Sequence, residues 1–85
     1  MTDQPAIDLF VDLNTEDETG LPWSLLTEAP DRERIVPGAH VVVGSGRVRA
    51  VAVVVDVTSD EVVHVRPLPG PVSAHQHLLV SRGAA

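Results

Sequence analysis

Valine recurs through residues 36–68 in three runs, broken by Gly44-Ser45-Gly46 and by Thr58-Ser59-Asp60. β-Branched residues suit a pleated, half-buried surface and such punctuation marks tight turns, so the pattern predicts three strands in a meander. The middle run, residues 47–57, would span roughly 35 Å as one straight strand at about 3.3 Å per residue. That is too long for a small domain, and the strand is expected to bend. Its alternating faces are Arg47, Arg49, Val51, Val53, Val55, Val57 and Val48, Ala50, Ala52, Val54, Asp56. Both are apolar through the centre, which predicts core on one side and covering chain on the other. In the third run Val63 and Val65 alternate with Val62, His64 and Arg66, the pattern of a half-exposed strand with polar tips.

Upstream, Ile7, Leu9, Val11 and Leu13 alternate with Asp8, Phe10 and Asp12, predicting a strand with an acidic outer face. A polar loop follows over residues 14–20. Pro22 suits a first helical position, and Trp23, Leu26 and Ala29 share a side at helical spacing, so residues 21–29 read as a short helix or helical turn ended by Pro30. Trp23 and Phe10 are expected to plug or cover the end of the fold, the alternative making Trp23 a contact residue in a groove. Val36-Pro37-Gly38-Ala39 fits a type II turn. Beyond Leu68, the spacing of Gly70, Pro71, Val72, Leu79 and Gly83 predicts a final helix of about three turns. A single turn and a closing strand over residues 78–81 is the alternative. The expected core is Val41, Val43, Val53, Val55, Val63 and Val65 with Ile7, Leu9 and Leu79, the face open by one residue in each strand.

With 85 residues the chain makes one domain, and it buries only about 60 to 65% of the surface of its unfolded form. There is no cysteine to supplement so small a core. Residues 7–82 are expected to form the domain, with residues 1–6 and 83–85 disordered. The two-sided apolar middle strand also predicts a two-fold homodimer, because an uncovered valine face would be sticky. No apolar run reaches membrane-spanning length and the N-terminus lacks the pattern of a signal peptide, which makes a cytoplasmic location the expectation.

Charge divides the chain. Residues 1–33 carry nine acidic residues against Arg32 alone, whereas residues 34–85 carry five arginines, three acids and all four histidines. Every basic residue is arginine, a composition read as the codon bias of a GC-rich bacterial genome. Net charge is −6, which disfavours general binding to phosphate backbones.

Chemistry-bearing motifs are sparse. Asp12-x-Asn14-x-Glu16 has part of a calcium-loop spacing, but Asp17 stands where the loop needs glycine and Trp23 where it needs a bidentate glutamate. His75-x-His77, with His40 and His64 elsewhere, has neither a thiolate nor a helical His-x-x-x-His partner, so no metal site is predicted. No serine sits in a nucleophile elbow, and Gly44-Ser45-Gly46 lacks the helix that a phosphate loop opens. Neither a catalytic residue nor a cofactor is expected. Arg66-Pro67-Leu68-Pro69-Gly70-Pro71 reads as a rigid corner rather than a polyproline ligand.

Residues 35–44 leading into residues 50–56 resemble the small SH3-like barrels of KOW-type translation modules and of plasmid ribonuclease toxins. Residues 12–79 are similar to a group of small uncharacterised proteins of GC-rich bacteria, through Glu16-Asp17-Glu18-Thr19-Gly20, Pro37-Gly38 and Leu68-Pro69-Gly70. The resemblance implies a mainly β fold with short helices: a small bent antiparallel sheet or SH3-like, partly open barrel of four or five strands. The RNA-contacting basic loop of KOW modules and the toxins' catalytic residues have no match in this chain.

The expected function is a non-enzymatic protein-interaction domain whose acidic segment, Asp12, Glu16, Asp17 and Glu18, meets a basic protein partner, with Trp23 as an apolar contact. The alternative is a nucleic-acid or ribosome-associated module using Arg47, Arg49 and Arg66, although such modules usually add exposed aromatics for stacking. A toxin-like nuclease is the third.

Overall fold

The computed structural model describes residues 6–79. Five strands, β1 (Leu9–Phe10), β2 (Trp23–Leu25), β3 (His40–Ser45), β4 (Val48–Val57) and β5 (Val62–Pro67), form one sheet in the order β1-β3-β4-β5-β2. The expected antiparallel ladder runs through β3, β4, β5 and β2, while β1 joins β3 in parallel. The sheet curls into a nearly closed small barrel. Its two edges are only two and three residues long, and the Ser24 hydroxyl of β2 closes the seam by donating to the Phe10 carbonyl of β1 at 2.7 Å. Short, bridged edges present little free backbone to a foreign strand.

Register fixes which valines line the core. Val41 pairs with Ala52, Val43 with Ala50 and Val54 with Val65, so the inner face of β4 is its Ala52 and Val54 set. Val53 and Val55, expected inside, are instead half-buried on the other face. Val54 opposes Val65 and Asp56 opposes His64, leaving Val55 as one extra residue. This bulge is how the long strand bends, and beyond it Val57 returns to pack on the core. Without the extra residue, Asp56 would fall on the inner parity.

The outer face of β4 is covered in part by the chain itself. A terminal 3-10 helix, Val72–Leu78, packs against β4, and the cross-strand pair Val42 and Val51 is fully buried within a single copy. Of the valine row that suggested a dimer, Val51 is buried within one copy, whereas Val53 and Val55 are half-buried. The helix was expected as three α-turns over residues 71–82. It is a 3-10 helix over Val72–Leu78 instead, with Leu79 half-buried after it. The rest of that span lies outside the described residues, as do the expected disordered ends apart from Ala6.

Two further expectations change. Residues 21–29 are not one helix: Trp23–Leu25 pairs with β5, and only Leu26–Glu28 makes a 3-10 turn. β5 and the turn before it satisfy the backbone of this segment from Pro22 to Leu26, as in the bonds from Val65 N–H to the Pro22 carbonyl (3.1 Å) and from Leu26 N–H to the Glu61 carbonyl (2.8 Å). A ladder partner outweighs the weak helical spacing of three apolar residues. Asp8, expected on an acidic outer face, is buried and accepts a hydrogen bond from Val42 N–H at 2.9 Å while its own N–H donates to the Val42 carbonyl at 2.8 Å. It fastens β1 to β3.

The β3–β4 hairpin turns at Gly46-Arg47 between the paired Ser45 and Val48, with Gly46 at φ 55°, the positive value a two-residue II′ turn needs at its first central position. Gly44 is constrained from outside: at φ 138°, an added Cβ would lie 1.9 Å from the Val48 carbonyl oxygen. Gly44→Ala is expected to cost about 2 kcal/mol or more, whereas Gly46→Ala, which meets open space, costs about 1 kcal/mol from its left-handed backbone alone. Urea denaturation of the two variants beside the parent chain measures the difference.

Candidate functional site: the His64 clasp and the barrel seam

β5 turns Val63 and Val65 into the core, so strand alternation places His64 on the outer face. There it lies between two cross-strand neighbours, Asp56 of β4 and Trp23 of β2. The Asp56 Oδ1 is 2.7 Å from His64 Nδ1. On the other side the loop between β1 and β2 folds over the ring and sets Asp17 Oδ2 2.6 Å from Nε2. His64 is only 8% exposed as a result.

The loop is built to deliver that carboxylate. Asn14 N–H donates to Asp12 Oδ1 at 3.0 Å, and Gly20 N–H to the Asp17 carbonyl at 2.9 Å. Thr19 donates its N–H to Asp17 Oδ1 at 2.8 Å and its hydroxyl to the same oxygen. One carboxylate oxygen of Asp17 thus organises the turn and the other reaches the sheet.

Two carboxylates facing both nitrogens favour the imidazolium, the only form of the ring that donates at both positions. The hydrogen bond to Asp17, then that to Asp56, raises the His64 pKa against the opposing effect of burial. The Thr19 hydroxyl, then His64, lowers the Asp17 pKa to about 2. In this closed arrangement neither ring nitrogen is free to exchange a proton with a substrate.

A second feature is the barrel seam. Phe10 and Trp23 are the only aromatic residues of the chain, and neither plugs the barrel: Phe10 is 44% exposed, Trp23 38%, and Leu25, two positions along from Trp23, 44%. The inward side chain of β2 is the small Ser24, committed to closing the seam, so its larger neighbours face out. A shallow hollow of about 300 Å³ beside Phe10 is lined by Thr27, Glu28, Ala29 and Pro30. Another hollow, of about 350 Å³ and bordered by Arg34, His40 and Leu78, has its guanidinium already directed at Asp31 (3.3 Å) and Asp8 (3.8 Å).

Of the acidic residues singled out in the sequence, Asp12 and Asp17 are engaged within the loop and the clasp, while Glu16 and Glu18 are exposed. The three arginines do not converge. Arg47 is at the hairpin tip, Arg49 donates its Nε–H to the Gly46 carbonyl at 3.0 Å, and Arg66 pairs with Val53, about 13 Å along β4 from Arg49 at strand rise. His75 lies within 2.6 Å of the Pro69 carbonyl. Among the described residues, no group of three His, Asp or Glu side chains is arranged to hold a metal ion. No described helix is long and apolar enough to cross a membrane.

Sequence reading missed His64 and Asp56. The available signal was Asp56 itself, a charge on the same parity as Ala52 and Val54, which requires a bulge to escape the core. Comparison with known proteins adds no relative: no family model, curated protein or solved structure matches the chain.

The clasp makes stability depend on pH from both sides. Because the folded His64 pKa lies above 6.5, its contribution is complete below 6.5 and is lost as pH rises through the folded value. The Asp17 contribution is present above 3.8 and is lost as pH falls through about 2. The stability gap between the parent chain and His64→Gln is therefore expected to be widest between about pH 4 and 6.5 and to narrow on either side. Urea midpoints of both proteins across this range provide the measurement.

Proposed function

We propose that this chain is a non-enzymatic protein-interaction domain that takes a basic partner segment carrying apolar side chains. The observation that carries this reading is the placement of Phe10, Trp23 and Leu25, exposed together along the outer side of the seam strands rather than packed inside. Exposed aromatics are the side chains most often found anchoring protein interfaces. Their surroundings set the partner's charge: residues 6–31 contain seven acids and no basic residue, with Glu28 beside Phe10 and with Glu16 and Glu18 on the clasped loop. Such a field favours encounter with cations and disfavours nucleic acid. The small curled sheet fits an SH3-like assignment, a class in which short barrels serve as recognition modules.

Trp23, as the sole tryptophan, gives a native optical probe. A synthetic peptide alternating lysine and leucine is expected to change its fluorescence, and Leu25→Ser or the pair Glu16→Gln and Glu18→Gln should weaken the binding about fivefold. Binding indifferent to all of these substitutions, or amide shifts confined to the arginine-bearing β3–β4 hairpin, would refute the reading.

A further inference from the structure

We propose that His64 is a proton-operated latch: its imidazolium holds the acidic loop against the sheet beside Trp23, and loss of the proton releases the loop. The inference rests on the proposed interaction surface only for its consequence, since the latch itself needs no partner.

The geometry carries it. Each ring nitrogen has its own carboxylate, at 2.6 Å and 2.7 Å, and the two come from different parts of the chain. A neutral imidazole keeps one N–H, so one nitrogen lone pair must then face a carboxylate oxygen at hydrogen-bond distance, which is repulsive. The two contacts are unequal in what holds them. Asp56 belongs to β4 and is itself paired with His64 in the β4–β5 ladder, whereas Asp17 belongs to the loop over residues 11–22, where its neighbours Glu16, Glu18 and Thr19 are exposed. The tethered contact persists and the loop contact yields.

The charged groups around the ring favour the proton on balance. Asp56 on β4 and Asp17 on the loop favour the proton, β2 contributes the uncharged Trp23, and Arg66, two positions along β5 on the same face, opposes it from about 6.6 Å of strand rise. Two hydrogen-bonded carboxylates outweigh one exposed guanidinium, in keeping with the raised pKa of His64. The consequence for the interaction surface is that Glu16 and Glu18, which flank Asp17, are held in place on the clasped loop while His64, the ladder partner of Trp23, is charged. A basic segment then meets an ordered acidic face at low pH and a loosened one at high pH.

The test is a pH titration of the full chain followed by NMR, reading the His64 ring, the amides of residues 16–19 and the Trp23 indole. The latch predicts that His64 titrates above 6.5 and that the loop amides and the indole change with the same midpoint. In Asp17→Asn the loop amides should stop following His64, whereas in Asp56→Asn they should still follow it, at a lower midpoint. A His64 midpoint at or below 6.5, or loop amides unmoved through it, overturns the latch, and the parent chain alone decides this if a variant fails to fold. Repeating the lysine-leucine peptide titration on either side of the midpoint separates the two claims. Loop amides that follow His64 without peptide binding uphold the latch and remove the interaction reading. Peptide binding with an unresponsive loop does the reverse.

Discussion

The structure depends on β4 having to bury apolar side chains on both of its faces while hydrogen-bonding to strands on both of its edges. A chain this short has one modest core to offer. β4 supplies Ala52 and Val54 to that core, while on its other face Val51 is buried, Val53 and Val55 are half-buried, and the 3-10 helix over Val72–Leu78 packs against the strand. The extra residue at Val55 reconciles these demands. It bends the strand, returns Val57 to the core, and turns Asp56 outward to meet His64. The same backbone irregularity that lets the barrel curl thus creates one half of the clasp.

The other half comes from an element that the sheet does not contain. After Val11 and Leu13, which pack on the core, residues 14–20 of the loop following β1 are polar and are held by directed contacts, and Asp17 is the residue through which loop geometry and sheet geometry are joined. Burial of His64 under this loop is tolerable because each of its ring nitrogens has a carboxylate partner, and no described buried side-chain polar atom is left without a hydrogen-bond partner. The seam follows a related economy. Ser24 spends its hydroxyl on closing β2 against β1, which sends Trp23 and Leu25 to the outside beside an acidic stretch.

Much of the framework was legible in the sequence. Valine runs with Gly and Ser-Asp punctuation gave the β3–β4–β5 meander, and the impossible length of residues 47–57 gave its bend. The choice of inner face was not legible, because a strand apolar on both sides carries no parity signal until a bulge fixes one, and so Val53 and Val55 were placed inside. β2 was hidden by Pro22 and by apolar residues at helical spacing; three residues held by a neighbour's ladder leave almost no local trace. For the site, the acidic segment and Trp23 could be named, but the meeting of Asp17 with His64 joins positions 47 residues apart and belongs to tertiary structure alone.

The central claim is that His64 stands as a charged donor between two carboxylates. The most direct measurement is observation of its ring N–H protons by NMR in mildly acidic solution. The account predicts two distinct, exchange-protected N–H resonances on the one ring, each correlated to its own nitrogen, with that at Nε2 lost in Asp17→Asn. A single N–H resonance, or rapid exchange of both with water while the barrel remains folded, would contradict it.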